Sequence, residues 1–216
     1  VLVVDDEPAN RLAIGRHLIP KDYVVHYASD GAVALACARR AVPDLIVMDL
    51  EMPVLDGWMA IRAVRALPPP LGDVAVLCYS AQRPDAARLR AAGFDGVLPK
   101  PCDGATLAAA IAPWSPTGAL AYIERLAQVF GAAEIAALVV RFRDHLAQAL
   151  AELDGDTDRA SAHRIAGIAG TLGFARVGHS FLALSEGDDS MRARARRDTA
   201  AALRQIDRAG FDRDLP

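Results

Sequence analysis

The stretch DLIVMDLEMPVLDG, residues 44–57, opens as an unbroken apolar run, closes on an aspartate and then turns. Four further runs share its character: VLVV (1–4), YVVHYA (23–28), VAVLCYS (74–80) and GVLP (96–99). Between them lie helical patterns: PANRLAIGRHL (8–18), DGAVALACARRA (30–41), GWMAIRAVRAL (57–67), PDAARLRAAG (84–93) and CDGATLAAAIA (102–112). Strands this apolar have no face to give to water, so they predict a parallel sheet with helices on both sides. Five βα units are too few for an eight-fold barrel. The expected fold of the first half is therefore α/β, a doubly wound five-stranded parallel sheet.

The segment APWSPTG (112–118) breaks this rhythm with two prolines and a glycine. Beyond it the strand pattern disappears. Residues 119–130, 132–153, 157–172, 175–186 and 190–210 carry apolar residues at helical spacing, with GDTD and EGDDS supplying turn and capping chemistry. This predicts a second, all-α domain, a helical bundle. The expected division is residues 1–112, a linker at 113–118, and a bundle over 119–211.

The chain has 216 residues and a formal net charge of −3, which gives no electrostatic case for a nucleic acid partner. No stretch approaches the roughly 18–20 apolar residues of a membrane span, and no signal peptide is visible. The expectation is a cytoplasmic protein without membrane contact. Cys37, Cys78 and Cys102 have neither metal-like nor redox spacing, as expected of structural thiols in a reducing compartment. The chain opens inside an apolar run and without Met. Either a few leading residues or a larger upstream portion is expected to precede it.

In open α/β sheets, ligands sit beyond the carboxyl ends of the strands. Here strand one ends in Asp5 and Asp6, strand three in Asp49, strand four in Ser80, and strand five runs into Lys100. The usual strand order brings strands one and three side by side, so Asp5, Asp6 and Asp49 should converge. Clustered carboxylates stay ionised only when a cation holds them. A hard divalent ion such as Mg²⁺ suits oxygen ligands and keeps positions open for phosphate oxygens. Lys100 and Ser80 suit the oxygens of a transferring phosphoryl group. Asp49, at the tip of a central strand, is the best-placed nucleophile.

VLVVDDEPANR, VMDLEMPVLDG, YSA and LPKP together resemble the motifs of two-component receiver domains over residues 1–112. The resemblance implies that Asp49 accepts a phosphoryl group from a phosphohistidine. It also implies that Asp6, Asp49 and the backbone carbonyl of Glu51 hold Mg²⁺, with Asp5 acting on the metal through water. Ser80 and Lys100 would contact the phosphoryl oxygens, and the Lys100–Pro101 peptide would be cis. Two departures stand out. The segment from Ser80 to Lys100 is about two residues shorter than the family pattern, shortening the approach to the fourth helix. Val97 occupies a position often held by Tyr or Phe.

The second half contains AHRIAGIAGTLGF, residues 162–174, in which glycines interrupt a helical pattern. An interior glycine costs about 1 kcal/mol relative to alanine. At about 100° per residue, Ile165, Ile168, Ala169 and Leu172 fall opposite His163 and form the core-facing stripe. Gly167 and Gly170 fall within about 40° of His163, about one and two turns along. The imidazole should therefore face solvent with its surroundings stripped of side chains, while Gly173 marks the helix end. A neutral imidazole is nucleophilic near pH 7 and can carry a phosphoryl group where a donor can reach it. This segment resembles the phosphoacceptor motif of histidine-containing phosphotransfer (HPt) domains, four-helix bundles with an additional N-terminal helix. The similarity runs over roughly 119–211 and implies that His163 is phosphorylated. Ala166 stands where that family often has lysine. His17, His26, His145 and His179 lack such a setting and are expected to be structural.

The expected function is phosphorelay signal transduction. The implied partners are a histidine kinase or another HPt protein upstream, and the receiver domain of a response regulator or hybrid kinase. An alternative is the C-terminal receiver–HPt portion of a hybrid sensor kinase. No ATP-binding kinase signature occurs within these residues. An alternative of another class is a Mg²⁺-dependent phosphatase with an aspartate nucleophile. That class places two aspartates two residues apart on its first strand, whereas Asp5 and Asp6 are adjacent.

Overall fold

Five strands, β1 (Leu2–Val4), β2 (His26–Ala28), β3 (Leu45–Asp49), β4 (Ala75–Ser80) and β5 (Gly96–Pro99), pair in parallel in the order β2-β1-β3-β4-β5. This computed structural model describes residues 1–211 except 22, 83, 115, 154, 156 and 157. Alternate strand residues enter two separate cores. Val3, Val47, Leu77 and Leu98 meet Ile14 and Leu18 of α1 (Pro8–Leu18) and Leu107 and Ile111 of α5 (Gly104–Ile111). Leu2, Val4, Ile46, Met48 and Val76 meet α2 (Gly31–Arg40), α3 (Gly57–Arg65) and α4 (Ala86–Ala92), chiefly through Ala34, Ile61, Val64 and Leu89. Each such Leu or Ile contributes roughly 1.5–3 kcal/mol on burial, which is why neither face of the sheet is polar.

Winding outward in both directions from β1 leaves a crevice beyond the ends of β1 and β3. β2 begins at His26 rather than at Tyr23, because its ladder partner, β1, spans just three residues. Aspartates at 30, 56, 85 and 103 cap α2, α3, α4 and α5 through their side chains, satisfying amides that a helix leaves free. α4 is seven residues long and buries only Leu89, in keeping with the short segment after Ser80. Away from the crevice, Arg65 binds the carbonyls of Gly72, Val74 and Gly93 and the carboxylate of Asp95. It ties the entry of β4 to the turn before β5.

The chain divides into two compact units, Val1–Trp114 and Ser115–Pro216. A linker over 113–118 is not what the described residues form. Trp114 is buried in the first unit's core, and the first helix of the second unit starts at Pro116, where proline is tolerated as a first-turn residue. Of that segment, Ser115 lies outside the described residues, as do Asp156 and Thr157 of the GDTD turn.

The second unit contains α6 (Pro116–Phe130), α7 (Ala132–Glu152), α8 (Arg159–Thr171), α9 (Ala175–Ser185) and α10 (Arg192–Ala209). α7 packs on α8, α8 on α9, α9 on α10 and α10 back on α7, while α6 lies against α7. Val139, Phe142, Leu146, Ile165, Ala169, Phe181 and Ile206 fill the centre. The Phe142 and Phe174 rings approach to 5.3 Å between centroids. α8 ends where Gly173 adopts φ +79, with the Tyr122 ring too close to admit a Cβ. A charged cluster lies inside this apolar setting: Arg176 of α9 and Arg194 of α10 both bridge Asp198 of α10, which is almost fully buried.

Candidate functional site

Asp5, one residue beyond β1, is wholly buried, and Asp49, closing β3, is 7% exposed. Asp6 is exposed at the rim. One carboxylate oxygen from each of Asp5, Asp6 and Asp49 lies within 4.8 Å of the other two. The two buried aspartates are each gripped on one oxygen by the chain nearby. Asp5 Oδ1 accepts from the Glu7 amide at 2.9 Å and from Asn10 Nδ2 at 3.0 Å. Asp49 Oδ1 accepts from the Leu50 amide at 2.7 Å and the Glu51 amide at 3.4 Å. Their other oxygens share one cation, Lys100 Nζ, at 2.6 Å from Asp5 Oδ2 and 2.7 Å from Asp49 Oδ2.

Lys100 is delivered to this place by its backbone. Its amide donates to the Ser80 carbonyl at 2.8 Å, extending the β4–β5 ladder, and the Lys100–Pro101 peptide is cis. Burial opposes the charge on Lys100, but the Asp49 and Asp5 carboxylates outweigh it and hold its pKa above the ordinary lysine value. Three carboxylates, two of them buried, against one ammonium leave a formal charge of −2 in the crevice. An all-oxygen donor set with that imbalance fits a hard divalent cation such as Mg²⁺, and Asp5, Asp6 and Asp49 are the residues that can hold it.

The loop after Asp49 is shaped around the site. A Cβ on Gly57 would stand 2.1 Å from the Asp49 carbonyl oxygen, so only glycine lets α3 start this close to the strand end. Val54 adopts φ +67 and is 87% exposed, with the Leu55 amide bonded to the Pro53 carbonyl in a γ-turn. That conformation costs a β-branched residue about 1–3 kcal/mol. Across the mouth, Gln82 Nε2 donates to Glu51 Oε1 at 3.2 Å, and the Gln82 amide donates to Ser80 Oγ. Ser80 itself is 7% exposed at the end of β4.

Residues 1–112 match the response regulator receiver domain. The chain belongs to the response regulator receiver family. The transcriptional regulatory protein PrrA of Mycobacterium leprae is 41% identical over 103 residues, covering 47% of this chain and 43% of that protein. An uncharacterised 14.6 kDa protein of Leptolyngbya boryana is 36% identical over 105 residues, covering 48% of this chain and 79% of that one. The chain thus spans most of the small Leptolyngbya protein but less than half of PrrA. Among solved structures, the receiver domain of sensor histidine kinase PA1611 from Pseudomonas aeruginosa is 34% identical, with a TM-score of 0.48. The match covers 52% of this chain and 93% of that one, whose structure has a magnesium ion coordinated in the active-site cleft. Vibrio cholerae CheY4 is 32% identical, with a TM-score of 0.46 over 49% of this chain and 89% of its own.

Two further residues of the VLVVDDEPANR stretch hold the receiver crevice together. Asn10 holds Asp5, and Arg11 donates to the Asp5 and Asp6 carbonyls. The thiols take no part in charge neutralisation. Burial, reinforced by Asp49, pushes Cys78 up to about 12, and all three cysteines are free. Val97 is 51% exposed on β5.

In the second unit, His163 is exposed on α8, and Gly167 and Gly170 are exposed beside it. A Cβ on either glycine would meet nothing within 4 Å, so these glycines serve no packing contact. The close-packed glycine is instead Gly178 of α9, where a Cβ would stand 3.4 Å from the Ala166 carbonyl oxygen. Asp158 caps α8 through the Ala160 and Ser161 amides. Arg164 donates to Ser161 Oγ at 2.7 Å. Of the remaining histidines, His26, His145 and His179 are exposed and His17 is half-buried. His17 lies against Gly104, at the start of α5.

Proposed function

We propose that this chain is a phosphorelay protein in which Asp49 accepts a phosphoryl group from a phosphohistidine and His163 exchanges one with a receiver aspartate. The observation that carries the reading is the convergence of Asp5, Asp6, Asp49 and Lys100 in one crevice of a receiver domain. In the first reaction an Asp49 carboxylate oxygen attacks phosphorus. The new O–P bond forms as the P–N bond of the donor breaks, and the donor imidazole recovers its electron pair. Mg²⁺, held by Asp6, Asp49 and the Glu51 carbonyl with Asp5 behind them, would supply positive charge to the transferring oxygens.

The chain's own residues do the rest. The Leu50 and Glu51 amides hold Asp49 Oδ1 and so orient Oδ2 toward the incoming group. Lys100, already at Oδ2, shifts its ammonium to a phosphoryl oxygen as that group arrives, and Ser80 offers its hydroxyl to another. In the second unit, the open ground made by Gly167 and Gly170 admits a receiver crevice to His163. The four packed helices with α6 laid on α7 support the HPt reading of this unit. The same chemistry would hold if these residues formed the C-terminal part of a hybrid sensor kinase.

The test supplies a phosphorylated receiver protein and Mg²⁺ to wild type, Asp49→Ala and His163→Gln. Wild type and Asp49→Ala should gain an acid-labile, base-stable phosphoryl group at His163. Labelling of that kind that survives His163→Gln would sink this half of the reading.

A further inference from the structure

Lys100 has a third partner besides the two carboxylates. The β3–β4 register sets Tyr79 opposite Asp49, so both side chains leave the same face of the sheet. Tyr79 is 3% exposed, and its ring forms the floor of the crevice. Lys100 Nζ stands 4.8 Å from the ring centroid, within the reach at which an aromatic face attracts an ammonium. Burial, together with the nearby Cys102 thiol and the Asp5 and Asp49 carboxylates, lifts Tyr79 to about 12. It therefore stays a neutral phenol at any ordinary pH.

We infer that Tyr79 is a positioning residue for Lys100: its ring is the platform that keeps the ammonium inside the crevice as it moves from the Asp49 carboxylate to a phosphoryl oxygen. The need for such a platform follows from the transfer itself, and in this sense the inference rests on the function proposed above. Lys100 must release Asp49 Oδ2 for that oxygen to attack. A four-carbon side chain released from its ion pair would otherwise swing toward water, because an ammonium is strongly hydrated. An aromatic face below it offers attraction in every intermediate position without offering a lone pair that would fix it in one. A leucine of similar bulk would fill the floor and give no such attraction.

The experiment uses the whole chain with Tyr79→Leu, Tyr79→Phe, Lys100→Met and the double variant Tyr79→Leu/Lys100→Met. The first arm is NMR without any phosphodonor. The ε-methylene protons of Lys100 should be shifted upfield by the ring in wild type and Tyr79→Phe, and should return to ordinary lysine positions in Tyr79→Leu. The second arm is the rate of Asp49 phosphorylation by a small phosphodonor with Mg²⁺. Tyr79→Leu should be slower by roughly three- to thirty-fold, the size of one desolvated cation–ring contact, and Tyr79→Phe should retain the wild-type rate. In the Lys100→Met background, Tyr79→Leu should make no further difference. An unshifted Lys100 in wild type overturns the proposal, and does so even if Tyr79→Leu fails to fold. A wild-type rate in Tyr79→Leu overturns it too, as does an equal loss with and without Lys100, which would mark Tyr79 as packing alone. If wild type takes up no phosphoryl group, the functional reading falls while the NMR arm still decides whether the ring holds Lys100.

Discussion

The crevice around Asp49 and the helix face around His163 are built on opposite terms. At Asp49 the buried charges are gripped: amides hold one oxygen of each buried aspartate, and Lys100 bridges the other two. At His163 the surroundings are bare, with open space over Gly167 and Gly170. The difference follows from what each group is. A carboxylate is a poor nucleophile toward another anion, so its site has to concentrate positive charge and exclude water. An imidazole is neutral and needs only to be reached. One site spends its residues on enclosure and the other removes them.

Several substitutions press on that contrast. The largest effect is expected from Asp49→Ala or from a chelator of divalent cations, each of which should abolish the acyl phosphate formed with a small phosphodonor. Lys100→Met should slow the same labelling by about 10²-fold or more, the usual consequence of losing one preorganised charge at a transferring group. At the open site, side chains should harm by being added. Gly167→Leu and Gly170→Leu should each slow transfer to His163 by roughly ten- to a hundred-fold through misplacement of the docked partner. They should also raise thermal stability by about 0.5–1 kcal/mol, since a helix prefers any ordinary residue to glycine. Activity and stability moving in opposite directions is the signature of a clearance glycine, and a drop in both would make them packing residues. Val54→Gly should stabilise the first unit by about 1 kcal/mol in chemical denaturation, by releasing the positive-φ strain beside the crevice.

The two sites should also differ in pH response. Lys100 has a raised pKa, so its stabilising pairing is complete below the ordinary lysine value of about 10.4 and is lost as pH climbs through the higher folded value. Asp158, the cap of α8, is held below its ordinary value first by the Ala160 amide and then by Ser161. Its contribution is present above the unfolded aspartate value and disappears as pH falls through the lower folded one. Thermal melts across pH should show Asp158→Asn, which keeps the cap, flattening only the acid limb.

The doubly wound sheet was legible because apolar strands with Asp5, Asp49, Ser80 and Lys100 at their ends can converge only one way in a parallel sheet. The clearance around His163 was legible because helical periodicity alone separates Gly167 and Gly170 from the stripe of Ile165 and Ala169. What escaped was contact between elements. Asn10 bonding Asp5, Gly57 clearing the Asp49 carbonyl, Arg65 binding Gly72, Gly93 and Asp95, and Trp114 entering the first core each depend on how separate elements meet. Propensity and spacing within one element carry no record of that. The prolines of APWSPTG suggested a linker for the same reason, although Pro116 begins a helix and Trp114 closes a core.

The most direct measurement follows phosphoryl uptake by the intact chain from a small phosphodonor, with the modified residue located by mass spectrometry at neutral pH. The account predicts a base-labile phosphoryl group on Asp49 that requires Mg²⁺ and vanishes in Asp49→Ala. A modification of equal extent in Asp49→Ala, or one that forms as readily in the presence of chelator, would contradict it.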